Sequence, residues 1–64
     1  MDCTAKLARF NASILSYENA LADYRRTRRL AAEGEISLAV VEEAREDVDA
    51  ARVRFEAADR ALNA

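Results

Sequence analysis

The sequence predicts an all-α protein: an antiparallel two-helix hairpin of the coiled-coil type that dimerises into a four-helix bundle. Its 64 residues include no proline and a single glycine, which excludes turn-rich β folds because those need such residues at each chain reversal. Apolar residues recur every three or four positions in both halves, the spacing of an amphipathic helix. Only 18 of the 33 apolar residues are larger than alanine, and so small a core commonly depends on a second chain.

The first helix is predicted over about residues 4–32, within a single domain that spans residues 1–64. Its apolar residues alternate at intervals of four and three, which defines the a and d positions of a heptad repeat. The a positions are Leu7, Ile14, Leu21 and Arg28, and the d positions are Cys3, Phe10, Tyr17, Tyr24 and Ala31. Arg28, a charged residue at an a position, is expected to pair across the seam and help to fix the register.

A turn is predicted over residues 33–37. Gly34 adopts a left-handed conformation at low cost and is expected to end the first helix. Ser37 is expected to cap the second helix through its side chain. The spacing of Ile36 and Val41 fits a hydrophobic staple, which fixes the angle at which the second helix begins.

The second helix is predicted over about residues 38–63, and alanine lines its seam. Its a positions are Val41, Val48, Phe55 and Leu62, and its d positions are Ala44, Ala51 and Ala58. One register places Phe10 level with Phe55, Tyr17 with Val48 and Leu21 with Ala44. A register shifted by a few residues sets the aromatic residues against the alanines, and both registers stay open. In either, large side chains face small ones, which allows close packing of the two helices.

Two apolar residues outside the seam, Leu15 and Val53, are predicted to form a dimer face together with the flanking alanines Ala8, Ala22, Ala50, Ala57 and Ala61. A second copy of the chain is therefore an expected partner.

Catalysis is not expected, because the chain has no histidine and its lone Cys3 has no base partner for nucleophilic chemistry. Carboxylates such as Glu42 and Glu46 lie one helical turn apart, but the Glu-x-x-His pairs of di-metal bundles are absent. The sequence thus predicts no enzyme, no metal site and no cofactor. The acidic residues are interpreted as a solvated face.

The densest charge in the chain is the run Arg25–Arg29, which contains four arginines. Residues 1–32 carry six bases and three acids, whereas residues 33–64 carry four bases and nine acids. We therefore expect the arginines to form salt bridges across the hairpin, with Glu42, Glu43, Glu46 and Asp47. Nucleic-acid binding through this run is the less favoured alternative, since the net charge is −2.

The hairpin tip is the predicted surface for a larger protein partner of unknown identity, which this chain would regulate, inhibit or help to assemble. Arginine suits planar, two-pronged contacts with carboxylates. The predicted contact residues are Arg25, Arg26, Arg29, Leu30, Ile36, Ser37 and Leu38.

The stretch from Ala22 to Ser37, ADYRRTRRLAAEGEIS, followed by Glu43-Ala44-Arg45 and Ala50-Ala51-Arg52, resembles the α-helical hairpin of HlyD-type periplasmic adaptor (membrane-fusion) proteins. That family has an Arg, a Leu and a Ser at the spacing R-x-x-x-L-x-x-x-x-x-x-S, which Arg26, Leu30 and Ser37 match. The resemblance implies that these three residues would dock onto a TolC-type outer-membrane channel. The residues that carry it lie between Ala22 and Arg52.

No apolar stretch approaches the length of a membrane span, and no apolar segment of the kind found in secretory signals follows Met1. Membrane insertion is not expected, and the expected compartment is the cytoplasm. A periplasmic location is expected only if the chain is the excised hairpin of an adaptor.

Overall fold

The computed structural model describes residues 3–64 as two helices, α1 (Cys3–Ala32) and α2 (Leu38–Asn63). The predicted all-α hairpin is confirmed. The molecule measures 51 × 13 × 11 Å, and a helix of 30 residues is about 45 Å long. The two helices therefore lie side by side over nearly their whole length.

α1 ends in the left-handed conformation expected at Gly34, whose φ is 78°. The Gly34 N–H donates to the Ala31 carbonyl at 3.0 Å, and the Glu35 N–H donates to the Leu30 carbonyl at 2.9 Å. This pair of bonds is a Schellman motif, which satisfies carbonyls that the helix itself leaves without donors.

α2 begins at an N-cap, Ser37, in extended conformation, but the Ser37 side chain makes no capping hydrogen bond. That part of the sequence prediction is wrong. The Ser37 carbonyl instead accepts the Val40 N–H at 3.2 Å. Because Ser37 is exposed, water can reach the remaining free N–H groups of the first turn. Ile36 and Val41 are both half-buried, as a staple requires.

The contact between the helices centres on the alanines of α2. Ala44, Ala51 and Ala58 are only 5%, 1% and 6% exposed. Their spacing of seven residues repeats one position of the heptad, so all three face α1. Side chains this short let the two backbones approach closely, as the sequence predicts.

α1 buries a different residue from the one expected. Thr27 is buried and its hydroxyl donates to the Tyr24 carbonyl at 2.9 Å, whereas Arg28 is exposed. Both residues lie one helical turn from Tyr24, on either side of the line that joins Tyr24 to Ala31. Burial of an unpaired guanidinium is costly, but burial of a hydroxyl that already has its hydrogen bond costs little. This difference favours the rotation of α1 that turns Thr27 inward.

The register is fixed by Phe55, which contacts two rings of α1. Its ring centroid lies 5.6 Å from that of Phe10 and 5.9 Å from that of Tyr17. The predicted contact between Phe10 and Phe55 is confirmed. The second contact, between Tyr17 and Phe55, was not predicted, because the first register sets Tyr17 level with Val48.

Candidate interaction surfaces

The predicted partner-binding residues lie at the closed end of the hairpin, in the last two turns of α1, the turn and the first residue of α2. We call this set the tip surface: Arg25, Arg26, Arg29, Leu30, Ile36, Ser37 and Leu38. Leu38 is 75% exposed. Leu30 and Ile36 are half-buried, and the other four residues are exposed. The tip surface therefore combines accessible guanidinium groups with accessible apolar area.

The arginines of the tip form no ion pair with α2, so the predicted salt bridges across the hairpin are wrong. Arg26 pairs with Asp23 of its own helix, and Arg25 and Arg29 have no carboxylate partner within residues 3–64. Successive residues point about 100° apart around a helix, so the run cannot face α2 as a block. Exposed ion pairs are also weak, at about 0–1 kcal/mol, and do not compel long side chains to cross.

Arg28 makes a cation–π contact instead of the expected bridge. Its guanidinium carbon lies 5.7 Å from the centroid of the Tyr24 ring. Tyr24 lies one turn earlier on the same helix, so this contact involves no residue of α2. Arg28 therefore does not fix the register.

A small groove of about 260 Å³ adjoins the tip surface. Its lining residues are Arg28, Ala31, Ala32, Leu38 and Val41. Among these, only Leu38 belongs to the predicted contact residues. Val40 is also exposed, at 42%, but lies about 200° around α2 from Leu38. The signal in the sequence was the apolar cluster that starts α2, next to the alanines that end α1.

A larger groove of about 480 Å³ lies toward the open end of the hairpin, between the two helices. We call it the alanine groove. Six small residues and two arginines line it: Arg9, Ala12, Ser13, Ser16, Arg54, Ala57, Ala58 and Ala61. Sequence reasoning missed this groove, although Ala57 and Ala61 were noted as flanking alanines.

The predicted dimer residues Leu15 and Val53 are 60% and 61% exposed. Neither lines the alanine groove. Leu15 is about 200° around α1 from Ser13, which does line it. A dimer face built on Leu15 and Val53 stays a prediction, and it would lie on another side of the hairpin.

Across residues 3–64, no group of three or more His, Cys, Asp or Glu side chains is arranged to hold a metal ion. Cys3 is exposed. Neither α1 nor α2 contains a segment long and apolar enough to cross a membrane. Comparisons with protein-family models, curated proteins and solved structures found no match for this chain.

Proposed function

We propose that this chain is a non-catalytic protein–protein interaction module, a self-associating hairpin that regulates, inhibits or helps to assemble a larger protein. The observation that carries the proposal is the tip surface. Arg25 and Arg29 have no carboxylate partner in the described part of the hairpin, and Leu38, at the same end of the hairpin, is 75% exposed. Such a surface fits a partner that offers carboxylates around an apolar patch.

Affinity capture with paired variants tests the tip. The variant Arg29→Glu/Leu38→Ser removes one guanidinium and the most exposed apolar residue. The control Arg60→Glu/Leu7→Ser makes the same types of change toward the open end, where both side chains are also exposed. We expect a defined partner to be retained by the wild type and the control, and to be lost with the tip variant. Equal capture by all three proteins would contradict the proposal.

Self-association is supported by the thinness of the interior. The only buried residues are three alanines and Thr27 among those that the structure describes, whereas five large apolar residues are exposed. Sedimentation equilibrium in the high micromolar range should show a dimer. A cooperatively folded chain that is strictly monomeric there would remove this part of the proposal.

An HlyD-type adaptor hairpin is the second candidate function. It is supported by the location of Arg26, Leu30 and Ser37, which all lie at the closed end where a channel would dock. Arg26 and Arg52 offer a matched pair, because each forms an ion pair with an aspartate three residues earlier. Under this candidate, Arg26→Glu abolishes binding to a purified TolC-type channel and Arg52→Glu does not. Equal binding by both variants would remove it.

Nucleic-acid binding is distinguished from both by its salt dependence. A mobility assay with duplex and single-stranded DNA at low salt should show no shift. A shift that disappears steeply as salt rises would instead favour phosphate contacts by the arginine run.

A further inference from the structure

The alanine groove is an apolar channel with charge only at its borders. The Ser13 hydroxyl already donates to the Phe10 carbonyl at 2.7 Å, so it requires no partner from outside. Arg9 of α1 and Arg54 of α2 border the groove, and neither forms an ion pair with a residue of the described range 3–64. The open end of this face is therefore small, apolar and basic.

Toward the tip the same face carries two carboxylates, of which Asp23 is paired with Arg26 of its own helix. Asp23 lies fourteen residues after Arg9, and Asp47 lies seven residues before Arg54. Multiples of seven residues return to the same side of helices that pack in this way, so each aspartate lies on the face that its arginine borders. Asp47 is exposed, and Asp23 keeps 45% of its side chain exposed beside Arg26.

We propose that a second copy of this chain packs onto this face in the opposite direction, related by a two-fold axis that crosses both helices near their middle. The proposal rests on the self-association proposed above and names its geometry. α1 then packs on α1 of the second copy, and α2 on α2. Arg9 lies opposite Asp23 of the second copy, and Arg54 lies opposite Asp47 of the second copy.

The two charge pairs place the axis at the same height, although they lie on different helices. The midpoint between Arg9 and Asp23 is Ser16. The midpoint between Asp47 and Arg54 falls between Ala50 and Ala51. The ring contacts of Phe55 align it with the part of α1 midway between Phe10 and Tyr17. With the helices aligned in this way, the two midpoints differ in height by about 3 Å along the hairpin. One axis therefore satisfies both pairs.

The opposite orientation is disfavoured by the same charges. If the two hairpins ran in the same direction about a two-fold axis, α1 would pack on α2 of the second copy, and Arg9 would lie near Arg54 of the second copy at the open end. The aspartates would likewise face aspartates nearer the tip. Like charges brought together across an interface oppose association. The small residues of the groove admit either orientation, and the charges select the antiparallel one.

The exposed area fits the addition of one partner. The chain exposes 4827 Å² at a mass of 7.1 kDa, whereas a folded monomer of that mass exposes about 4,100 Å². The excess of about 700 Å² is close to the roughly 800 Å² that each partner contributes to a standard interface.

Cross-linking of engineered cysteines tests the face. In a Cys3→Ser background, Ser16→Cys lies next to its own copy across the axis, whereas Leu15→Cys points about 100° away. We expect a short bismaleimide to link the Ser16→Cys dimer roughly tenfold faster than the Leu15→Cys dimer. Faster linking through Leu15→Cys, or none through either in a protein that sediments as a dimer, overturns this geometry while self-association stands. A monomer in sedimentation removes self-association itself.

Charge exchange tests the direction. Arg54→Asp should raise the dimer dissociation constant roughly tenfold, because it places a carboxylate opposite Asp47 of the second copy in two symmetric positions. Combining Arg54→Asp with Asp47→Arg restores both pairs and should return the constant to within about threefold of wild type. The control Arg60→Asp, six residues further along α2 and outside the groove, should change it little. A double variant as weak as the single one overturns the antiparallel pairing.

Discussion

The two helices meet along one seam but contribute to it in opposite ways. α2 buries alanines almost completely, whereas on α1 the apolar residues Phe10, Ile14, Tyr17 and Leu21 are only half-buried. The facing helix alone covers a short side chain. A longer side chain extends past the facing helix, and its end stays exposed to solvent. The contrast shows how a thin hairpin gains close packing without gaining an enclosed core.

Phe55 is the largest side chain that α2 contributes to the seam, and its removal should have the largest effect. The variant Phe55→Ala loses two ring contacts and leaves a gap opposite Phe10 and Tyr17. We expect about 3 kcal/mol less free energy of unfolding, near the lower end for a buried phenylalanine because Phe55 is half-buried.

Urea unfolding at one fixed protein concentration measures this loss, with trimethylamine N-oxide added if the variant is partly unfolded. Val53→Ala is the control, because Val53 lies two residues away and is 61% exposed. It should change the free energy by less than about 0.5 kcal/mol. Similar losses in the two variants would mean that Phe55 does not join the helices.

Enlarging a buried alanine of α2 should destabilise the hairpin. Ala51 is 1% exposed, so the added carbons of Ala51→Leu have no free space and force the helices apart at this position. We expect a loss of about 2 kcal/mol, together with a weaker near-ultraviolet circular dichroism signal from the tyrosines. Ala22→Leu, at an exposed position of α1, should leave both unchanged. Tolerance of leucine at position 51 would show that the helices do not approach closely there.

Much of this seam could be predicted from the sequence, because spacing and residue size act locally. The run Ala44, Ala51, Ala58 identifies the buried face of α2, and Gly34 identifies the end of α1. The burial of Thr27 depends instead on a rotation of α1 about its own axis, which the spacing leaves open. A strict heptad assigns Arg28 to the seam because it counts positions and ignores the cost of burying a charge.

The candidate surfaces were less predictable for another reason. The closed end follows from chain order, so the tip residues were found from the arginine run and the turn. The alanine groove needs the register between helices, which Phe55 sets by contacting both Phe10 and Tyr17. Salt bridges depend on side-chain directions in water, where the free-energy differences are small. Charge counts in the two halves therefore gave no reliable guide to them.

The end of α1 and the start of α2 differ in what stabilises them. α1 ends through a backbone conformation that only glycine adopts without strain, since the φ of Gly34 is 78°. A Cβ added there would meet open space, so it would add no steric clash. Gly34→Ala should therefore cost about 1 kcal/mol in unfolding free energy through backbone strain alone. Ser37→Ala should cost close to nothing, because the Ser37 side chain caps no N–H. Reversed costs in urea unfolding would mean that the side-chain cap forms in solution.

An effect smaller than that of Gly34→Ala should come from Arg28, the residue that the heptad assigns to the seam and the structure leaves outside it. Its guanidinium contacts the ring of Tyr24 on its own helix, and an exposed cation–π contact contributes about 0.5–1 kcal/mol at most. Alanine recovers part of this through its higher helix propensity, so Arg28→Ala should lower the unfolding free energy by less than about 0.5 kcal/mol. Arg25→Ala, which removes an arginine with no ring contact, is the matched control. A loss above about 1.5 kcal/mol in urea unfolding for Arg28→Ala alone would indicate that Arg28 packs in the seam. It would then contradict the rotation of α1 that buries Thr27.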